Sequence, residues 1–298
     1  MANQPGDRLL DSADLVFTIG YDPVEYPPTD WNQKNPSRKL IHVDVLPADL
    51  DNCYRPYVEL TGDIASTLSS LSPQLRRSQR SAPASVILKS IAEERAALAR
   101  EAATRGGTPI HPLRLVAELQ HFLSSDITLC SDMGSFHLWL ARHLYSFKAR
   151  QILISNGQQT LGIALPWAIA ASIVRPSEKV LSISGDGGFL FSAMELETAV
   201  RLKANIVNLV WIDGTYDMVA TQEVIKYGRK SGVDLGPVDL VKYAEAFGAT
   251  GRMIRTPDDI VPVLKEALNH TGPIIVGVHV DYSDNHKLFE MAKADSFH

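Results

Sequence analysis

The chain has 298 residues, 45% of them apolar and 21% charged, with a net charge of −5. At roughly 150 residues per domain this is about two domains, each with enough apolar residues for a packed core, which excludes a disordered or fibrous chain. The slightly acidic balance provides no basic footprint for a phosphate backbone, so nucleic acid is not an expected partner. Cys53 and Cys130 are too few and too far apart for a disulfide framework or a thiolate metal site, and they suggest a reducing cytosol. The longest apolar run, Leu165 to Val174, is too short to cross a bilayer, and the first residues lack the basic and apolar regions of a signal peptide. A cytoplasmic protein with no membrane partner is expected.

Two β-branched apolar runs open the chain, Asp14 to Gly20 and Lys39 to Val45, separated by a Pro-rich stretch. They read as buried parallel strands. A weaker strand at Val58 to Leu60 leads to helical spacing over Ile64 to Leu71. Three short strands make an incomplete doubly wound domain, expected to expose apolar surface, to pack on the rest of the chain or to dimerise. Ser72 to Ala84, rich in Ser and Arg with no apolar period, is the expected linker. A helix then runs from about Ser85 to Thr104 and stops at Arg105-Gly106-Gly107, which places the domains at 1–72 and 108–298 with linker and helix over 73–107.

From Thr108 strands and helices alternate, the pattern of a parallel sheet covered on both faces. Strands are expected at Ile127 to Ser131, Ile152 to Ser155, Val180 to Ser184, Ile206 to Ile212, Met253 to Arg255 and Ile274 to His279. Between them the spacing predicts helices at Pro112 to Phe122, Phe136 to Leu144, Ala193 to Lys203, Leu240 to Phe247 and Pro257 to Asn269.

The sharpest local signal is an apolar strand that ends in Gly185-Asp186-Gly187-Gly188, followed by a helix and a second apolar strand that ends in Asp213-Gly214-Thr215-Tyr216. A right-handed crossover brings both strand ends to the same edge of the sheet, so Asp186 and Asp213 become neighbours. Two carboxylates there supply half of an oxygen shell for a hard divalent cation. Glycine lets backbone N–H groups approach an anion, and a helix beginning near Phe191 adds its positive end. The consistent ligand is a Mg²⁺-diphosphate; the alternative is that both aspartates only cap turns.

These residues resemble the thiamine diphosphate motif of the thiamine diphosphate-dependent decarboxylases and carboligases. The longer texts GDGGFLFSAMELETAVRLK (Gly185 to Lys203), VWIDGTYDMVATQ (Val210 to Gln222), SNGQQTLGIAL (Ser155 to Leu165), DMGSFHLWLAR (Asp132 to Arg142) and VDYSDN (Val280 to Asn285) are similar to the catabolic acetolactate synthase branch. So are GDRLL at Gly6 to Leu10, IGYDPVEY at Ile19 to Tyr26 and HVDVLPA at His42 to Ala48.

The resemblance implies an α/β chain: a parallel-sheet diphosphate-binding domain preceded by part of a Rossmann-like central domain. It implies Mg²⁺ on Asp186, Asp213 and the Thr215 carbonyl. Cofactor contacts would come from Ser135, Phe136, Gln159, Gly185, Gly187, Gly188 and Tyr216. Leu161 would prop the cofactor's bent conformation, and Gln222 would lie near the reacting carbon, although an exposed helical Gln and a core Leu are the plainer readings. His111 and His137 read as packing or hydrogen-bonding residues. The implied reaction joins two pyruvates into 2-acetolactate and CO₂. No FAD is expected, since Gly20 to Tyr26 lacks a Gly-x-Gly-x-x-Gly.

The family activates its cofactor with a glutamate from a pyrimidine-binding domain, which this sequence does not contain. Glu93, Glu94, Glu195 and Glu197 stand in other contexts. The chain is therefore expected to bind the diphosphate half, to be inactive alone, and to work as a homo-oligomer or with a complementing chain. A non-catalytic fragment, a split-gene subunit or another thiamine diphosphate-dependent 2-oxo acid decarboxylase or oxidase is the alternative.

Overall fold

The computed structural model describes residues 5–24, 26–35, 37–75, 82–124, 126–155 and 157–291. Part of the expected linker, 76–81, lies outside the described residues, as do Glu25 and Asn156 of the quoted texts. By internal contacts the chain divides into two units, one of Met1–Leu98 together with Phe289–His298 and the other of Ala99–Leu288.

The first unit holds a three-stranded parallel sheet in the order β1 (Leu15–Ile19), β2 (Lys39–Asp44) and β3 (Val58–Thr61). Its helices are α1 (Asp7–Ser12), α2 (Pro28–Trp31), α3 (Ile64–Leu71) and most of α4 (Ala82–Thr104). The small core is aromatic. Trp31, Leu40 and Tyr54 are buried together, with Tyr54 Oη hydrogen-bonded to His42 Nδ1 at 2.8 Å. Period-two alternation leaves Leu15, Phe17 and Ile19 of β1 exposed by 42%, 41% and 46%. A parallel sheet buries both faces when complete, so this face is open apolar surface. On α4, Arg8 forks onto Glu94 with Nη1 to Oε1 at 2.6 Å.

In the second unit a six-stranded, all-parallel sheet runs β5 (Ile152–Ile154), β4 (Ile127–Ser131), β6 (Lys179–Gly185), β7 (Ile206–Ile212), β9 (Ile274–His279), β8 (Thr250–Ile254). Its central strands β4, β6, β7 and β9 are buried along almost their whole length, with polar Thr128, Ser182, Ser184 and Asn208 buried among apolar residues. One core cluster packs α5 (Pro112–Phe122), α6 (Ser135–His143) and α12 (Ile260–Asn269) on one face of the sheet. A second cluster holds α7 (Ala164–Val174), α8 (Asp186–Ser192), α9 (Leu196–Arg201) and α11 (Leu240–Ala246). The exposed helix α10 (Asp217–Tyr227) follows β7, and α13 (Asn285–Met291) closes the described chain.

Three expectations need adjustment. The helix after β6 begins at Asp186 itself, not near Phe191. Glycines at its second and third positions are poor helix formers, but tertiary contacts supply what propensity lacks. In place of one helix over Ala193 to Lys203 there is a 3₁₀ turn at Ala193–Glu195 followed by α9. The strand expected at Met253 to Arg255 begins earlier, at Thr250.

Candidate cofactor site

The sheet order locates the site. From β4 the chain moves outward to β5 and then returns to the other side of β4 as β6, so the crevice beyond the carboxyl ends of β4 and β6 is a topological switch point, where open α/β sheets bind ligands. It is bordered by the loop Asp132–Gly134 and by Asp186–Gly188 at the start of α8. Register holds them together: Ser131 pairs with Ile183, and Asp132 N donates to the Ile183 carbonyl at 2.9 Å.

Asp186 opens α8. Its Oδ1 accepts from Gly187 N at 2.9 Å and its Oδ2 from Gly214 N at 2.8 Å, which locks the turn after β6 to the turn after β7. Asp213 lies one residue before Gly214, and its Oδ2 accepts from Thr215 Oγ1 at 2.6 Å. Burial pushes the Asp213 carboxyl up to about 7; the Thr215 hydrogen bond works against this, and the charges of Asp186 and Asp217 add to it. Asp186 is raised as well, again chiefly by burial. Gly214 adopts φ +77, a conformation that a side chain resists.

The glycines make room. A Cβ on Gly187 would lie 2.4 Å from Tyr216 Cε1, and one on Gly188 would lie 3.1 Å from Asp132 Oδ2. Phe136 is buried, with its ring against Gly134 and Gly185 and 6.0 Å from the Trp211 ring. Ser135, also buried, begins α6. Gln159 is exposed at φ +48 in the turn after β5, and half-buried Leu161 follows it. Gln222 is half-buried midway along α10. Tyr216 meets Phe191 edge-on at 6.3 Å. His111 caps α5, accepting from Leu113 N at 3.1 Å, and so reads as structural; His137 is buried, and its Nδ1 has no hydrogen-bond partner among the described residues.

Two acids emerged only from the structure. Asp132 is 1% exposed, accepts from Met133 N at 2.8 Å and Gly162 N at 3.0 Å, and is held up to about 6 by burial. It ties the Gln159–Gly162 turn to β4. Asp217 faces Ser135 and Asn285. Their partners lie far away in the sequence, so no local pattern announces them.

A cavity of about 270 Å³ lies beside Asp186 and Asp213, walled by Phe189, Leu190, Leu240 and the 235–238 strip. Among the described residues no group of three His, Cys, Asp or Glu side chains is arranged to hold a metal. The donor set therefore fits a cation only as a shared ligand: two carboxylates and a backbone carbonyl from the protein, with the remaining oxygens from a diphosphate. Buried like charges at Asp186 and Asp213 are the arrangement that a divalent cation relieves. The residues present fit Mg²⁺-diphosphate.

Residues 132–278 match the family model of the C-terminal TPP binding domain of thiamine pyrophosphate enzymes, and residues 1–71 match that of the central domain of the same enzymes. The chain belongs to the thiamine pyrophosphate enzymes. The catabolic acetolactate synthase of Raoultella terrigena is 52% identical over 284 residues, covering 95% of this chain and 50% of that protein. The acetolactate synthase of Bacillus subtilis is 50% identical over 283 residues, with the same two coverages. A probable acetolactate synthase large subunit of Methanocaldococcus jannaschii is 30% identical over 289 residues, covering 91% of this chain and 47% of that protein. The chain thus spans about half the length of the curated relatives it matches. Among the described residues no helix is long and apolar enough to cross a membrane.

Proposed function

We propose that this chain carries the Mg²⁺-diphosphate side of the thiamine diphosphate site of an acetolactate synthase, which joins two pyruvates into 2-acetolactate and CO₂. The observation that carries the reading is the Asp186 Oδ2 to Gly214 N hydrogen bond, which fixes the two acidic turns side by side at the switch-point edge. Identities of 52% and 50% to acetolactate synthases support the reaction class.

Asp186, Asp213 and the Thr215 carbonyl would hold Mg²⁺. Ser135, Phe136, Gln159, Gly185, Gly187, Gly188 and Tyr216 would line the diphosphate, Leu161 would support the bent cofactor, and Gln222 would approach the reacting carbon. When bound, thiamine diphosphate supplies the carbon nucleophile that attacks a 2-oxo acid and holds the electron pair freed with CO₂. That cofactor needs a carboxyl to move a proton onto its pyrimidine, and the glutamates singled out in the sequence are engaged otherwise. Glu94 pairs with Arg8 at 2.6 Å, Glu197 with Arg201 at 3.0 Å, and Glu195 accepts from Thr198 Oγ1 at 2.9 Å. We therefore propose that the glutamate comes from a pyrimidine-binding domain outside these residues, with the chain working as a homo-oligomer or beside a complementing chain; we also propose a cytoplasmic location and no flavin.

Titration calorimetry tests the site. The unaltered chain should bind Mg²⁺-thiamine diphosphate, and Asp186→Asn should weaken binding by about tenfold or more, because a hard cation loses a charged ligand. Equal affinity would overturn the assignment. Carboligation of pyruvate should be absent from the chain alone and appear when a pyrimidine-domain chain is added; turnover by the purified chain alone would refute the division of labour.

A further inference from the structure

Three turns at the carboxyl edge of the six-stranded sheet converge on one carboxylate oxygen. Asp217, the first residue of α10, accepts at Oδ2 from Ser135 Oγ at 2.5 Å and from Asn285 Nδ2 at 2.6 Å. Asn285 is 3% exposed and is gripped from its other side, since its Oδ1 accepts from Trp139 Nε1 at 2.8 Å. The turns after β4, β7 and β9 are thereby cross-linked through Ser135, Asp217 and Asn285. Charge-assisted hydrogen bonds of this length are the strong kind.

We propose that Asp217 is a positioning residue: it fixes the first turn of α6 against the Asp186/Asp213 edge and commits the Ser135 hydroxyl away from the ligand. This rests on the cofactor reading above. A serine hydroxyl has one proton to donate, and here it goes to Asp217. A diphosphate presents acceptors, so Ser135 serves it through its main-chain N–H, at a helix start where such groups lack intrahelical partners. His137 N, by contrast, is already bonded to the Gly134 carbonyl at 3.0 Å. Asp217 thus decides where that main chain lies without touching the ligand.

Hydrogen exchange on the ligand-free chain tests the clamp. Asp217→Ala should raise exchange about tenfold in both 133–138 and 280–286, the loss expected in each segment for one bond to a charged acceptor. Asn285→Ala should raise it in 280–286 while leaving the Ser135 tie intact. Asp217→Asn should restore most of the protection, because a single amide oxygen can take both donors. If Asp217→Ala fails to fold, the Asn285→Ala and Asp217→Asn variants carry the comparison. Unchanged exchange in Asn285→Ala and Asp217→Ala, or Asp217→Asn as disruptive as Asp217→Ala, overturns the clamp. In calorimetry with Mg²⁺-thiamine diphosphate, Ser135→Ala should weaken binding no more than Asp217→Ala, since both release the first turn of α6. A loss in Ser135→Ala about fivefold or more beyond that in Asp217→Ala would mean that the hydroxyl itself meets the ligand and would overturn this part of the proposal. If the unaltered chain fails to bind, the cofactor reading falls and the exchange result alone still decides the clamp.

Discussion

Gly187 and Gly251 both sit where a side chain has no room, but for different reasons. At Gly187 the obstacle is the Tyr216 ring, 2.4 Å from an added Cβ, and a ring can swing aside. Gly187→Ala should therefore cost about 1–3 kcal/mol in urea unfolding, and Tyr216→Ala in the same chain should recover part of it. At Gly251 the obstacle is the Val241 Cα at 2.6 Å, which is backbone. Gly251→Ala should cost more than Gly187→Ala and should resist rescue by truncation of the Val241 side chain. Asp186 and Asp213 were legible in the sequence because each follows an apolar strand and precedes glycine. Asp132 and Asp217 were not, since what distinguishes them is a distant partner: Gly162 for one, Ser135 and Asn285 for the other.

Among the elements, the strands were the readable part. β4, β6, β7 and β9 are short apolar runs bounded by turn residues, and each lies close to its expected span. α7 is continuously apolar and shows no helical period, and α10 leaves Val219, Val224 and Ile225 exposed, so neither has the single stripe that marks a helix. The onset of α8 was hidden for the opposite reason, since Gly187-Gly188 reads as a turn until Tyr216 and Asp132 are placed over it. α6 makes acid stability testable. Burial lowers His137 from its ordinary 6.5 to about 4, so the folded chain refuses a proton that the unfolded chain accepts between those values. Its contribution to stability is intact above pH 6.5 and falls away as the pH drops towards 4. Asp132, raised to about 6, works in the opposite sense over part of that window, so the comparison must be with a variant. The stability gap between the unaltered chain and His137→Asn should narrow from pH 7 to pH 4.5 in urea titrations; a constant gap would remove His137 from the linkage.

For the molecule as a whole, the two family matches and the two contact units describe a chain with one complete six-stranded sheet and one three-stranded sheet whose β1 face is open. Composition pointed to about two domains but could not show that they differ in completeness, because an apolar residue counts the same whether it is covered or not. The place of β9 in the larger sheet bears on synthesis. It lies between β7 and β8, and β8 pairs with it alone. A nascent chain that has emerged only as far as Pro273 leaves β7 with a bare apolar edge and β8 with no sheet to join. Chains released at that length should be captured by holdase chaperones and lack cooperative unfolding, whereas chains that extend past Asn285 gain both the missing strand and the Asp217 tie. Residues 274–285 thus decide whether the strands made before them settle into a native sheet.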